Sequence, residues 1–252
     1  MRMIRPLLML CCTALTVVAG CSSTAREDRL LGELANLDKQ EIFDRAEAMY
    51  QDDKIDDARR YFSFVYDTFP NDPLGHKAAL RVADTYAARH DAASLTEARL
   101  RYRDFANRYP NDPDRDYALL MVGNTYSARK LRPDRDLTSI REALGAYQQL
   151  VNLYPDSEHA DDARERIAIL RELLAEHEWL VSQFYYRNKR LQGALWRLEY
   201  LRDNYPQYSN IDTVIARIAE ISSAMDERRE EFERMLEERK NQSEPQEKSG
   251  GD

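Results

Sequence analysis

The sequence is poor in the residues that make tight turns. With 8 Gly and 9 Pro in 252 residues, it holds too few for a many-stranded sandwich or barrel. Cysteine is almost missing. Its three copies are Cys11, Cys12 and Cys21, so the body beyond them has no thiol with which to make a disulfide. Catalytic signatures are missing too: there is no H-E-x-x-H, no G-x-S-x-G, no P-loop and no G-x-G-x-x-G. The four histidines, His76, His90, His159 and His177, show no chelating spacing. Within a helix His177 and Glu178 would point about 100° apart. No enzyme activity, metal or soluble cofactor is expected. An excess of acid over base, formal charge -8, disfavours nucleic acid, whose phosphates require a basic face.

What is present fits a helical, water-soluble body of one or two domains. A charged fraction of 33% and a mean hydropathy of -0.71 exclude a polytopic membrane protein. Hydrophobic residues at 43% and aromatics at 10% are too many for a wholly disordered chain.

The first twenty residues read as an address. Arg2 and Arg5 precede an apolar run from Leu7 to Val18, the length of a signal-peptide core and too short to span a bilayer. The run ends in Val18-Ala19-Gly20-Cys21, which resembles a bacterial lipobox. Cys21 would then be the acylated first residue of the mature chain, a covalent lipid carrying several acyl chains and thus a stable membrane anchor. The plainer alternative is a small-residue cleavage site with Cys21 nearby by chance. Ser22 stands where an inner-membrane-retained lipoprotein often has Asp, so the resemblance points to the outer membrane, with the body on its periplasmic face. Losing residues 1–20 removes two Arg and no acid, moving the formal charge from -8 to -10.

Four phrases punctuate the body: Phe69-Pro70, Tyr109-Pro110, Tyr154-Pro155 and Tyr205-Pro206. Ahead of them stand Ala58/Phe62/Val65, Ala98/Tyr102/Phe105, Ala143/Tyr147/Leu150 and Ala194/Leu198/Leu201, each in steps of four then three. Those steps place each triplet on one helix face. Proline ends the helix and pushes the preceding aromatic out of the αR region. A partner pattern of a small residue three before a large one precedes each, as in Ala46 to Met49 and Ala83 to Tyr86. This arrangement resembles the tetratricopeptide (TPR) repeat. The expected fold is all-α, an α-solenoid of about five TPR-like helix pairs, with insertions at Arg89–Thr96 and Arg129–Leu137. A fourth pair would open on a long helix from Asp161 to Tyr186, and a last helix from Asp212 to Ala224 would cap the array. A simple amphipathic bundle is the alternative, but it gives no reason for the repeated aromatic-Pro. The expected organisation is signal peptide 1–20, lipidated tether 21–38, helical array 39–225, and charged helical extension with disordered tail 226–252.

TPR arrays take peptides or partner helices on the surface lined by their first helices. That surface is expected to carry Gln40, Phe43, Glu47 and Tyr50, then Lys77, Leu80 and Asp84, then Tyr117, Leu120 and Asn124. Phe43 and Tyr50, two turns apart, either grip an extended peptide or pack beneath the tether or the next repeat. Glu47 and Asp84 would repel a C-terminal carboxylate.

Lipobox, tether and repeats together resemble the BamD family, lipoproteins of the β-barrel assembly machinery. The most telling stretch runs from Leu174-Ala175-Glu176-His177-Glu178 through Tyr185-Tyr186 to Tyr205-Pro206. Glu41-Ile42-Phe43 and the segment from Tyr154-Pro155-Asp156-Ser157 to Asp161-Asp162-Ala163 also match. The resemblance implies binding to the POTRA region of the barrel-forming subunit, with Arg197 and Glu199 as the contact. An Arg there would pair with an acidic partner or, alternatively, with Asp203 or a neighbouring acid of its own chain. It also implies that unfolded outer-membrane proteins are taken by the N-terminal repeats, where Phe43 and Tyr50 fit. The competing function is a TPR lipoprotein scaffold for pilus assembly or for cell-wall and division coordination.

Overall fold

The computed structural model describes residues 32–128 and 132–243. Among them every regular element is a helix: α1 (Lys39–Gln51), α2 (Ile55–Thr68), α3 (Pro73–Ala87), α4 (Ala92–Arg108), α5 (Arg115–Ser127), α6 (Thr138–Leu153), α7 (Ala160–Arg187), α8 (Leu191–Asn204) and α9 (Ile211–Ser243). The helices fall into two compact units. The first ends at Ala128 and holds α1–α5; the second holds α6–α9. None of the described helices is long and apolar enough to cross a membrane. The TPR-like all-α reading holds. The fifth unit is a single helix, α9, rather than a pair among the described residues.

The repeated aromatic-Pro phrase acts as a helix stop with one geometry. Phe69, Tyr109, Tyr154 and Tyr205 cap α2, α4, α6 and α8 at φ -126, -119, -135 and -132°, with ψ between 54 and 68°. Each still donates its N–H to the carbonyl four residues back, on Val65, Phe105, Leu150 and Leu201. The next residue is proline, which has no N–H to give, so the helix ends there. In the first copy the following Asp72 accepts from the Leu74 N–H and so caps α3, whose first residue is Pro73. Stop, cap and restart are written in the five residues Phe-Pro-Asn-Asp-Pro. Elsewhere Asp38 and Asp91 cap α1 and α4 in the same way.

The turns inside the α1/α2, α3/α4 and α7/α8 hairpins share another device. Asp53, His90 and Lys189 take left-handed φ of 61, 55 and 59°. Lys54 N–H then reaches the Met49 carbonyl and Arg190 N–H the Tyr185 carbonyl, satisfying groups that the helix end would leave open.

The Ala-large-large triplets form the seams. Ala58, Phe62 and Val65 on α2, Ala143, Tyr147 and Leu150 on α6, and Ala194, Leu198 and Leu201 on α8 are all 0% exposed. Alanine at the crossing lets two helices approach, and the large residues fill the space on either side. In the first unit the core holds Leu34, Ile42, Phe43, Ala46, Phe62 and Ala78. Leu34 lies inside the expected tether yet is 1% exposed, so the described end of that segment is pinned to the body. The expected insertion at Arg89–Thr96 is corrected. The α3–α4 connection is only 88–91, and residues 92–96 lengthen α4 instead. Asp91, accepting from Ala93 and Ser94 N–H, starts the helix early.

Candidate functional site

Ten first-unit residues are singled out in the sequence, and they do not all line an open groove. Phe43 is 4% exposed and packs edge-on to Phe62, ring centroids 5.3 Å apart. Leu34 shares its cluster, so of the two readings of Phe43 the structure supports internal packing beneath the tether. Leu80 and Leu120 are buried too.

Glu47, Tyr50, Asp84 and Tyr117 gather around Arg81, which the sequence reading passed over. Glu47 on α1 receives the Arg81 fork, Nε to Oε1 at 2.5 Å and Nη2 to Oε2 at 2.6 Å. The third guanidinium nitrogen, Nη1, donates to Asp84 Oδ2 at 2.7 Å. The guanidinium lies over the Tyr50 ring at 4.4 Å and within 5.5 Å of Phe62. Asp84 Oδ1 accepts the hydroxyls of Tyr102, at 2.5 Å, and Tyr117, at 2.9 Å. One polar cluster therefore touches all five helices of the first unit. Asn124 sits two turns further along α5, half-buried, with its amide on Met121 Sδ. The acidic face that would repel a carboxylate is thus partly matched internally: the single charge of Arg81 is shared between Glu47 and Asp84. A signal for Arg81 existed. It stands four residues after Lys77 and three before Asp84, on the helix face already assigned to the surface.

Burial, and next the Asp84 carboxylate, push the Tyr102 and Tyr117 hydroxyls well above the usual tyrosine range. Tyr208 in the second unit is pushed up to about 12 by burial and by its hydrogen bond to Glu176. Tyrosine in the unfolded chain titrates near about 10. Between the two values the unfolded state releases protons that the folded state keeps, so stability falls as pH rises. Thermal midpoints should be flat up to about pH 9 and drop steeply above about pH 10. The share of tyrosinate absorbance due to Tyr102, Tyr117 and Tyr208 should rise with the melt rather than before it. Smooth titration of all tyrosines in a still-folded chain would contradict the network.

In the second unit Arg197 donates Nη1 to Glu178 Oε2 at 2.9 Å. Glu178 on α7 is almost wholly buried, whereas the Arg197 side chain is 29% exposed. Of the alternatives for Arg197, the partner in its own chain is this neighbouring acid and not Asp203, which takes the Arg202 side chain. Glu178, singled out by resemblance only, is thereby explained as the anchor that fixes the guanidinium. Glu199 is half-buried on α8. Beside them Trp196 is 56% exposed and stacks on Tyr200, centroids 6.1 Å apart at 27°. The sequence reading missed this exposed aromatic pair, although positions 196 and 200 are one turn apart. Among the described residues no group of three or more His, Cys, Asp or Glu could hold a metal ion. Cys21 and the signal peptide lie outside the described residues, as does the tail from 244.

TPR-like hairpins, stitched by internal ion pairs and carrying exposed aromatics, define a helical-repeat protein. Residues 35–235 match the family model described as YfiO, outer membrane lipoprotein, and the chain belongs to that family. It is similar to the outer membrane protein assembly factor BamD of Vibrio cholerae, 33% identical over 75 residues, 30% of this chain and 31% of that relative. BamD of Haemophilus influenzae is 33% identical over 75 residues, 30% of this chain and 29% of the relative. BamD of Caulobacter vibrioides is 28% identical over 87 residues, 34% of this chain and 28% of the relative. The matched stretches span less than a third of the length of these relatives.

Proposed function

We propose that this chain is a non-catalytic scaffold of outer-membrane β-barrel assembly, held at the periplasmic face by lipid on Cys21. The observation that carries the reading is the family match across 35–235, which runs through both helical units, together with relatives named as assembly factors. In this reading the second unit meets the POTRA region of the barrel-forming subunit. Arg197 is presented in one orientation by Glu178, Glu199 is its neighbour on α8, and Trp196 with Tyr200 supplies exposed apolar area of the kind that anchors interfaces. The first unit would receive unfolded outer-membrane proteins along the half-buried rim of Glu47, Tyr50, Tyr117 and Asn124, with Phe43 and Asp84 supporting it from beneath.

The test is a titration of the purified chain with the POTRA region. Arg197 is left in place, because removing it would strand the buried Glu178 charge. Trp196→Ala combined with Glu199→Lys is expected to weaken binding roughly tenfold or more with helicity unchanged. Unchanged affinity would remove this contact. In cells, depletion should lower the amount of folded outer-membrane barrels. Normal barrels with lost piliation or septation would overturn the assembly reading in favour of the other lipoprotein scaffolds.

A further inference from the structure

α9 changes character along its length. Its first half packs on α8 through Val214, Ile218, Ile221 and Met225, in steps of four, three and four. The same stepping continues past the body to Arg228, Phe232, Met235 and Arg239, with Arg229 and Leu236 flanking the line. Phe232, Met235 and Leu236 are 56, 54 and 49% exposed. At about 100° per residue, the seven acids from Asp226 to Glu238 all fall at least about 100° away from Phe232. The extension thus has an apolar and basic front that prolongs a buried seam, and an acidic back. Where the seam leaves the body, an open groove is lined by Lys189 and Arg190 of the α7–α8 turn, Leu191 at the start of α8, and Met225, Arg228 and Phe232 of α9. Front and groove share one chemistry: apolar anchors set among cations.

We infer that this front is a docking surface for an acidic amphipathic helix of another protein, its apolar side on Phe232 and Leu236 and its carboxylates on Arg228, Arg229 and Arg190. Charge complementarity selects that occupant. A second copy meeting face to face would set Arg228, Arg229 and Arg239 among their own mates, because a two-fold contact uses one patch on both sides. The chain's residues from 244 onward, Glu-Pro-Gln-Glu-Lys-Ser-Gly-Gly-Asp, have no large apolar side chain to cover the front. A helix that lies on an anionic bilayer carries Lys and Arg on its polar face, whereas the polar back of this one is acidic. Arg229 keeps one N–H on Asp226 at 3.0 Å, an exposed pair weak enough to exchange. The inference is independent of the barrel-assembly reading, since it uses neither Trp196, Arg197 nor the first unit.

The test uses the full mature chain in detergent and two labelled designed helices. Both have Leu along one face; one is flanked by Glu and the other by Lys. The Glu helix should bind, more weakly as salt rises, and the Lys helix should not. R228E/R229E should weaken the Glu helix by roughly tenfold or more and transfer the preference to the Lys helix. F232S/L236S should also weaken the Glu helix, and circular dichroism should show α9 intact in every variant. Equal binding of the two helices, or charge reversal without effect, overturns the inference. So does flotation with phosphatidylglycerol vesicles that depends on Arg228 and Arg229 while the Glu helix fails to bind. A dimer in sedimentation that F232S/L236S dissolves overturns it in favour of self-association.

Discussion

Replacing Arg81 by methionine is expected to destabilise the first unit by roughly 3–5 kcal/mol, the cost of removing one partner from a buried ion pair. Methionine fills most of the volume, so packing loss is the smaller part. The larger part is charge. Glu47 loses both fork hydrogen bonds, and Asp84, 5% exposed, loses its only cation in the cluster. The Tyr102 and Tyr117 hydroxyls still serve Asp84 Oδ1, but dipoles do not replace a full charge at low dielectric. Adding Glu47→Gln and Asp84→Asn to the methionine variant should recover part of the loss, because neutral amides in the same places are cheaper to bury. The measurement is urea unfolding followed by circular dichroism. Both tryptophans, Trp179 and Trp196, lie in the second unit, so their fluorescence does not report on the first unit directly. A loss below about 1 kcal/mol would mean that the cluster behaves like a surface ion pair.

Gly75→Ala should be nearly as damaging for a different reason. A Cβ at Gly75 would stand 1.9 Å from the Phe69 carbonyl oxygen and 2.9 Å from its carbon. Both are backbone atoms of the α2 stop, so no side chain can swing aside. The start of α3 and the stop turn would have to separate. That carries the cost to or beyond the roughly 1–3 kcal/mol of ordinary overpacking, well above the roughly 1 kcal/mol that alanine gains over glycine in a helix. Gly145→Ala is the control. Nothing lies within 4 Å of its Cβ position, so it should be neutral or stabilising by up to about 1 kcal/mol. The thermal midpoint should fall for Gly75→Ala and hold or rise for Gly145→Ala; an unchanged or raised midpoint for Gly75→Ala would contradict the close approach there.

The helical seams were legible because steps of four and three fix a face without knowledge of the partner. Ala58, Phe62 and Val65 follow from spacing alone, and the aromatic-Pro stops from the chemistry of proline. The polar cluster was half legible. Glu47, Tyr50, Asp84 and Tyr117 could be placed on one surface by laying the repeat on the chain. Their shared partner could not, since Arg81 and Glu47 are 34 residues apart, and periodicity reports faces rather than pairings. Phe43 shows the same limit. Its helix face was readable, but whether that face is open depends on Leu34 and Phe62, which arrive from either side in sequence. Arg197 lies between positions 194 and 198, which spacing places in the core, but the acid that orients it sits on another helix, 19 residues away.

Helices adjacent in the chain account for nearly all helix packing within each unit, α1 with α3 being the one longer step among the substantial contacts. A polypeptide delivered amino terminus first can therefore close each hairpin as soon as its second half emerges, with little loop entropy lost at any stage. The Arg81 cluster keeps a different clock. Its last hydroxyl donor is Tyr117, so Asp84 stays incompletely satisfied until the start of α5 has arrived, and only then does the amino-terminal half gain its full resistance to opening.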